Sequence, residues 1–295
     1  MKHYFACILL LLTPVPFVAQ VRLSTVQRLT QNPLANKEQK QPYEGHRIFS
    51  LEFRGNQHFS SETLLEFMKT QHGESYYAEQ LEDDEDRLRV LVLGRRGYLR
   101  ASFDSHEIQD TISGLRIVVQ MHEGIPYRWG TITVEGSTVF SPEEAIQIVG
   151  LKSGDIADGY GLQLGFSKLA KLYRDRGYFQ FNVGFIPDFK QTSPDAEEGV
   201  VDITLEAEEG EVFQIDRIQF EGNSRTRDQV LRRRLLIYEG DTYNESLLQK
   251  SLSRLNSLGL FERLTLEDAA LHTNGNSGRV DITIRLKEKG READR

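Results

Sequence analysis

"ITVEGSTVFSPEEAIQIVGLKSGD" (Ile132–Asp155) and "IQFEGNSRTRDQVLRRRLLIYEGD" (Ile218–Asp241) are two versions of one pattern, and "LEFRGNQHFSSETLLEFM" (Leu51–Met68) is a third. Each begins with alternating apolar residues, the period of a half-buried strand. In the first, Phe49, Leu51 and Phe53 share a face; in the second, Ile132 and Val134; in the third, Ile215, Ile218 and Phe220, less regularly. A glycine then closes each strand (Gly55, Gly136, Gly222), followed by Asn56, Ser137 or Asn223. That is the chemistry of a turn needing positive φ, which makes these three the structural turn glycines.

A helix start follows. Ser141, Pro142 and Glu144 combine an N-cap, proline at the first helical position and a capping box. Thr226 with Gln229 repeats the box spacing, whereas Ser60 supplies a cap alone. A second helix is read from Leu162, Phe166, Leu169 and Tyr173, from Leu248, Leu252 and Leu255, and more weakly from Leu81, Leu88 and Leu91. Each is expected to stop at a glycine, Gly97, Gly177 or Gly259. Two further strands complete each unit, as in "YFQFNVGFIPDF" with "VVDITLEAEEG"; "NGNSG" (Asn274–Gly278) reads as the hairpin turn of the third.

The order strand, helix, helix, strand, strand fixes the topology by parity. If each element reverses direction, the first and last strands run parallel and the last two form an antiparallel hairpin. The expectation is an α+β chain of three tandem β-α-α-β-β domains. Each is a three-stranded mixed sheet with two helices on one face. The boundaries are 47–124, 125–210 and 211–290.

The rest of the chain is read from composition. Lys2 and His3 precede a short apolar run, so residues 1–19 resemble a secretory signal cleaved after Ala19; 20–46 form a polar, flexible leader. The only cysteine, Cys7, lies in that signal, which leaves the remainder without a disulfide framework. A net charge of -8, with no basic domain, argues against nucleic acid as partner.

The strand ending in Gly-Asn, the Gly-Asp pairs Gly154-Asp155 and Gly240-Asp241, and the exits "RGYF" and "LGLF" resemble the polypeptide-transport-associated (POTRA) family. The resemblance covers roughly 47–289 and is weakest in the first unit, where "HGESY" replaces Gly-Asp. Tandem units of this kind are similar to the periplasmic arm of BamA-type outer-membrane barrel-assembly proteins, here without barrel strands after "KEKGREADR". The resemblance implies a binding scaffold, not an enzyme, with no cofactor. It would lie in the periplasm, or on the periplasmic side of the outer membrane, of a diderm bacterium. Its partners would be unfolded or extended outer-membrane protein chains, or barrel-assembly components. The alternative is a structural cell-envelope or division component with a retained N-terminal membrane anchor.

Four features bear on chemistry. The acidic run "LEDDED" reads as a solvated helix face, and the seven histidines show no zinc spacing. Arg225, Arg227, Arg232, Arg233 and Arg234 read either as the wet side of a helix or as a patch for an acidic partner or an anionic lipid surface. The middle strand of the second unit is expected at a sheet edge, because Pro187 would disrupt a central strand. Its phenylalanines, Phe179, Phe181 and Phe185, would face the helices. Tyr178, Gln180, Asn182, Gly184 and Ile186 would then form a partner-binding edge open to strand addition.

Overall fold

The computed structural model describes residues 42–290, apart from 192, 194–195 and 274–277. The proposed signal, nearly all the leader and most of the "NGNSG" turn lie outside those residues. The described residues form two compact units: 42–92 with 101–123, and 93–100 with 124–290.

Three β-α-α-β-β repeats account for the regular structure. The first has β1 (Ile48–Arg54), α1 (Ser61–Leu65), α2 (Ala78–Leu88), β2 (Ser102–Thr111) and β3 (Gly114–His122). The second has β4 (Tyr127–Glu135), α3 (Pro142–Val149), α4 (Gly159–Arg174), β5 (Asn182–Lys190) and β6 (Gly199–Glu208). The third has β7 (Gln214–Glu221), α5 (Asp228–Arg232), α6 (Glu245–Asn256), β8 (Ala269–Thr273) and β9 (Arg279–Arg285). Each makes a three-stranded sheet with its last strand central, in the orders β1-β3-β2, β4-β6-β5 and β7-β9-β8. The first strand pairs parallel to the last and the middle strand antiparallel, as the parity argument requires.

Burial follows the sequence period. On β6, Val201, Ile203, Leu205 and Ala207 face a core closed by Leu162, Leu169 and Tyr173 of α4. On β9, Val280, Ile282 and Ile284 meet Leu248, Leu252 and Leu255 of α6 in the same way.

One helix position explains a difference between repeats. Three residues after Leu81, Leu162 and Leu248 stand Asp84, Gly165 and Ser251. Asp84 is fully buried and accepts the amides of Lys69 and Thr70 at 3.0 and 2.7 Å, with Arg87 beside it. Ser251 accepts the amide of Leu236 at 2.8 Å. These side chains take up backbone donors just past α1 and α5, which are five residues long. Gly165 leaves the space empty: a Cβ there would lie 2.2 Å from the Val149 carbonyl oxygen, so α3 packs directly on α4 and runs for eight residues. The acidic run is therefore not simply a solvated face. Asp84 is a backbone cap, and buried Glu85 pairs with His106 of β2, which holds that imidazole's pKa above its ordinary value.

The caps also need one correction. The Ser141–Glu144 box forms, and Ser60 accepts the Thr63 amide. Thr226 does not cap α5; Arg227 occupies that position without a side-chain bond, and Thr226 is bound to Glu288 instead. A long-range carboxylate has outcompeted the local box.

The "HGESY" segment is less divergent in structure than in sequence. Gly73, Gly154 and Gly240 all have φ near +90° (89°, 87° and 93°). Their amides reach the first strand of their own repeat, at Ile48, Trp129 and Ile215. The loop thus covers the start of that strand's outer edge three times over.

Gly222 has φ +88° and a Cβ there would lie 2.0 Å from the Leu286 carbonyl oxygen, whereas Gly240 has φ +93° and open space around the same position. Gly240→Ala is expected to cost about 1 kcal/mol, the backbone penalty alone. Gly222→Ala should cost about 3 kcal/mol or more, because the strand ends must also separate. Urea unfolding of the two variants checks the difference.

Candidate functional site

A carboxylate just past each central strand locks the repeat. Glu123 accepts the amides of His58 (2.8 Å) and Phe59 (3.1 Å). Glu209 accepts those of Thr138 (2.6 Å) and Val139 (2.9 Å), and Glu288 those of Arg225 (3.2 Å) and Thr226 (2.8 Å). In every case the donors belong to the turn after the first strand, two or more residues beyond the structural glycine. Sequence reading missed this clamp, although Glu-Gly at 123–124 and 209–210, and Glu288 near Gly290, repeat at the junctions.

The clamp of the second repeat also orients its outer strand. Tyr173 donates its hydroxyl to Glu209 at 2.6 Å and lies 2.9 Å from the Ser137 hydroxyl. Its ring stacks on Phe181 with centroids 3.8 Å apart, and Phe181 leads directly into β5. Burial, then the Glu209 contact, raise the Tyr173 pKa to about 12. For Glu209, burial alone works upward. The hydroxyls of Thr138 and Tyr173 and the amides of Val139 and Thr138 outweigh it and hold the carboxyl at about 2. Glu288 is held at about 2 by a similar set, again against burial.

β5 lies at the sheet edge and pairs with β6 in unbroken register over nine residues, Asn182↔Glu208 to Lys190↔Val200. The other two outer strands are poorer templates. β2 has a register break between Phe103 and Ser105 and carries Asp104, His106, Glu107 and Asp110, while β8 has only five residues. A long regular edge with few charges is the kind that accepts another strand. On β5 the charges are Asp188 and Lys190, with Lys190 bound to Asp202 of β6.

The expected partner-binding residues divide. Asn182, Gly184 and Ile186 are in β5, and Ile186 is 54% exposed. Tyr178 and Gln180 precede the strand, in the turn after α4, and Tyr178 packs edge-on to Tyr173. Phe179 does not face the helices of its own repeat. It enters the core of the third, against Phe213 (4.5 Å) and Tyr243 (5.6 Å). Phe185 is 46% exposed beside Phe166 of α4, forming an apolar wall along the open edge. Both departures have one cause: the chain leaving α4 is used to join two repeats before it becomes a strand.

The arginine run also divides. Arg225 pairs with Glu288, and Arg232 with Asp228 and Glu239. Arg227, Arg233 and Arg234 are exposed. Among the described residues no group of three His, Cys, Asp or Glu could hold a metal, and no helix is long and apolar enough to cross a membrane.

This geometry defines a class, a tandem array of small α+β modules each presenting sheet edges on a rigid frame. The sequence profile of the POTRA family, described as "Surface antigen variable number repeat", matches residues 46–124, 127–210 and 213–289. The chain belongs to that family. Similar proteins include the outer membrane protein assembly factor BamA of Neisseria meningitidis serogroup B, 26% identical over 259 residues, a match covering 82% of this chain and 31% of that protein. BamA of Neorickettsia risticii is 28% identical over 257 residues, covering 82% and 33%. The chain spans about a third of the length of these curated relatives. Among solved structures, POTRA3-5 of Haemophilus influenzae BamA shares the fold with a TM-score of 0.68 at 23% identity, covering 83% of this chain and 96% of that one.

The carboxyl shifts set an acid limit. Glu209 and Glu288 titrate near 4.5 when unfolded and near 2 when folded, so between these values the unfolded chain binds the extra protons. Stability is full above about pH 4.5 and falls as pH drops toward 2. Glu209→Gln keeps the shape without the acid, and its stability, measured by urea unfolding across that window, should depend less steeply on pH.

Proposed function

We propose that this chain is a periplasmic, non-enzymatic scaffold that takes part in outer-membrane protein assembly or polypeptide transport. It would bind extended client chains, or components of the assembly machinery, by strand addition to β5. The observation that carries the reading is the contrast among outer edges: β5 is long, regular and weakly charged, whereas β2 is broken and charged and β8 is short. Kinship with BamA proteins supports the biological setting. Residues 1–19 would be the export signal, removed after Ala19. Arg227, Arg233 and Arg234 would provide a secondary electrostatic contact with an anionic surface.

Main-chain pairing suits variable clients because it is nearly indifferent to their side chains. Side chains on the helix-facing side of an added strand would meet Phe185 and Phe166, which favours guests that alternate apolar and polar residues.

Proline supplies both the polarity of the edge and its test. Pro187 has no N–H to give β6, so its parity is the outward one, shared by Val183, Phe185 and Phe189. Phe185→Ala removes the ring but keeps the outward N–H, and is expected to weaken capture of barrel-strand peptides a few-fold. Phe185→Pro removes both and should lower it by at least about ten-fold with the fold intact, on the scale of a lost hydrogen bond plus apolar contact. Equal affinity for folded Phe185→Pro and the parent chain would remove β5 from the mechanism.

A further inference from the structure

The two joints between repeats share a geometry. At the first, Gly97, with φ +86°, offers its carbonyl to the amide of Tyr127, the opening residue of β4, at 2.9 Å. At the second, Gly177, with φ +98°, offers its carbonyl to the amide of Phe213, just before β7, at 3.1 Å. A carboxylate from the same exit completes the second joint: Asp175 accepts the amide of Ser246 in the first turn of α6 at 2.8 Å. Both joints thus use the amide that opens the next repeat's first strand, and the second joint adds an amide in the first turn of the next repeat's second helix.

The front of the first repeat carries the same strand-opening amide and, one position before the counterpart of Ser246, an amide in the first turn of its second helix; both are occupied. His46 corresponds to Tyr127 and Phe213, because Tyr76, Ala157 and Tyr243 each donate an amide to the carbonyl of that residue. The His46 amide donates to the Tyr43 carbonyl at 3.0 Å. Tyr43 has φ +80°, the only non-glycine residue with positive φ among those described, so it holds the conformation that glycine holds at the other two joints. The amide of Ala78, which opens α2, donates to the Glu44 carboxylate at 2.9 Å. Tyr77, the cap residue of α2, makes no side-chain cap bond, unlike Asp158 and Asn244 at the equivalent positions. Gly45 adds a bond to the Tyr76 carbonyl at 2.8 Å.

We infer that the front of the first repeat is a repeat-docking face, and that Tyr43–Gly45 is a plug built in imitation of the exit of a preceding repeat. The partner this face fits is the helix exit of another repeat of this kind: a left-handed residue presenting a carbonyl, accompanied at the second joint by Asp175 two residues before it. A non-glycine residue in the left-handed region persists only where its surroundings impose it. Here the imposed contact is the one that a repeat exit makes. At the other end the third exit is closed by its own sheet, with Phe261 buried at 3% exposure, Glu262 donating to the Lys287 carbonyl and Lys289 to that of Leu260.

The test uses the full chain and three variants. Tyr43→Pro forbids positive φ, and combined with Glu44→Ala it removes both imitated contacts. Tyr43→Gly keeps the plug's geometry. Hydrogen exchange of the His46 and Ala78 amides is expected to rise at least about ten-fold in the double variant and to stay at the parent level in Tyr43→Gly. A synthetic exit peptide, Lys171–Phe181, at millimolar concentration should shift those two amide resonances in the double variant and leave the parent chain unchanged. If the double variant unfolds the first repeat, Glu44→Ala alone frees the Ala78 amide and carries the same two measurements. Parent-level protection in the uncapped chain, or a folded uncapped chain whose amides ignore the peptide, would overturn the inference.

Discussion

Each repeat depends on one close approach, between the end of its first strand and the end of its central strand. At Gly55, Gly136 and Gly222 a Cβ would lie 2.0–2.1 Å from the carbonyl oxygen of Met121, Ala207 or Leu286. The backbones can meet only because these residues have no side chain and hold φ of +88°, +75° and +88°. A carboxylate two residues further on (Glu123, Glu209 or Glu288) then accepts amides of the turn. Such amides would otherwise be orphaned donors beside a parallel strand pair, and a charged acceptor satisfies two at once.

From this clamp the rest of the second repeat can be traced. Glu209 holds the Tyr173 hydroxyl, Tyr173 stacks on Phe181, and Phe181 sets the start of β5. The start of β5 is therefore positioned by a chain of side-chain contacts running back to the clamp. The same exit from α4 supplies Gly177 and Phe179 to the joint with the third repeat, reinforced by Arg174 with Glu245 and by Asp175 with Ser246. The outer edge of β5 and the joint are thus built from adjoining residues.

The repeats have diverged by exchanging equivalent solutions at equivalent places. Asp84 and Ser251 accept backbone amides where Gly165 lets a helix approach. Glu44 serves α2 where Asp158 and Asn244 serve α4 and α6. The outer strands show the same divergence: β2 has a register break and carries Asp104, His106, Glu107 and Asp110, β8 is short, and β5 is unbroken with only Asp188 and Lys190 charged. One architecture thus yields a long, regular outer edge at one repeat and a broken or short one at the other two.

Much of this was legible in the sequence. Strand period, closing glycines and helix spacing are local properties, and with parity they determined three mixed sheets, each with a parallel pair and an antiparallel hairpin. Pro187 marked β5 as an edge because a missing N–H is a local fact. Tertiary structure decided what depends on competition between distant groups. Thr226 has the spacing of a capping box, yet Glu288, 62 residues away, binds it with charge-assisted bonds. Phe179 alternates with Phe181 as though on one strand, but apolar burial in the third repeat outweighs continuing that strand. Asp84 and Glu85 read as solvated because acidic runs usually are, and their burial depends on amides and an imidazole that only the folded chain brings to them. Sequence by itself determined the modules and their order; the fold decided which surfaces the modules spend on one another and which edge stays open, because those contacts join residues that no local period relates.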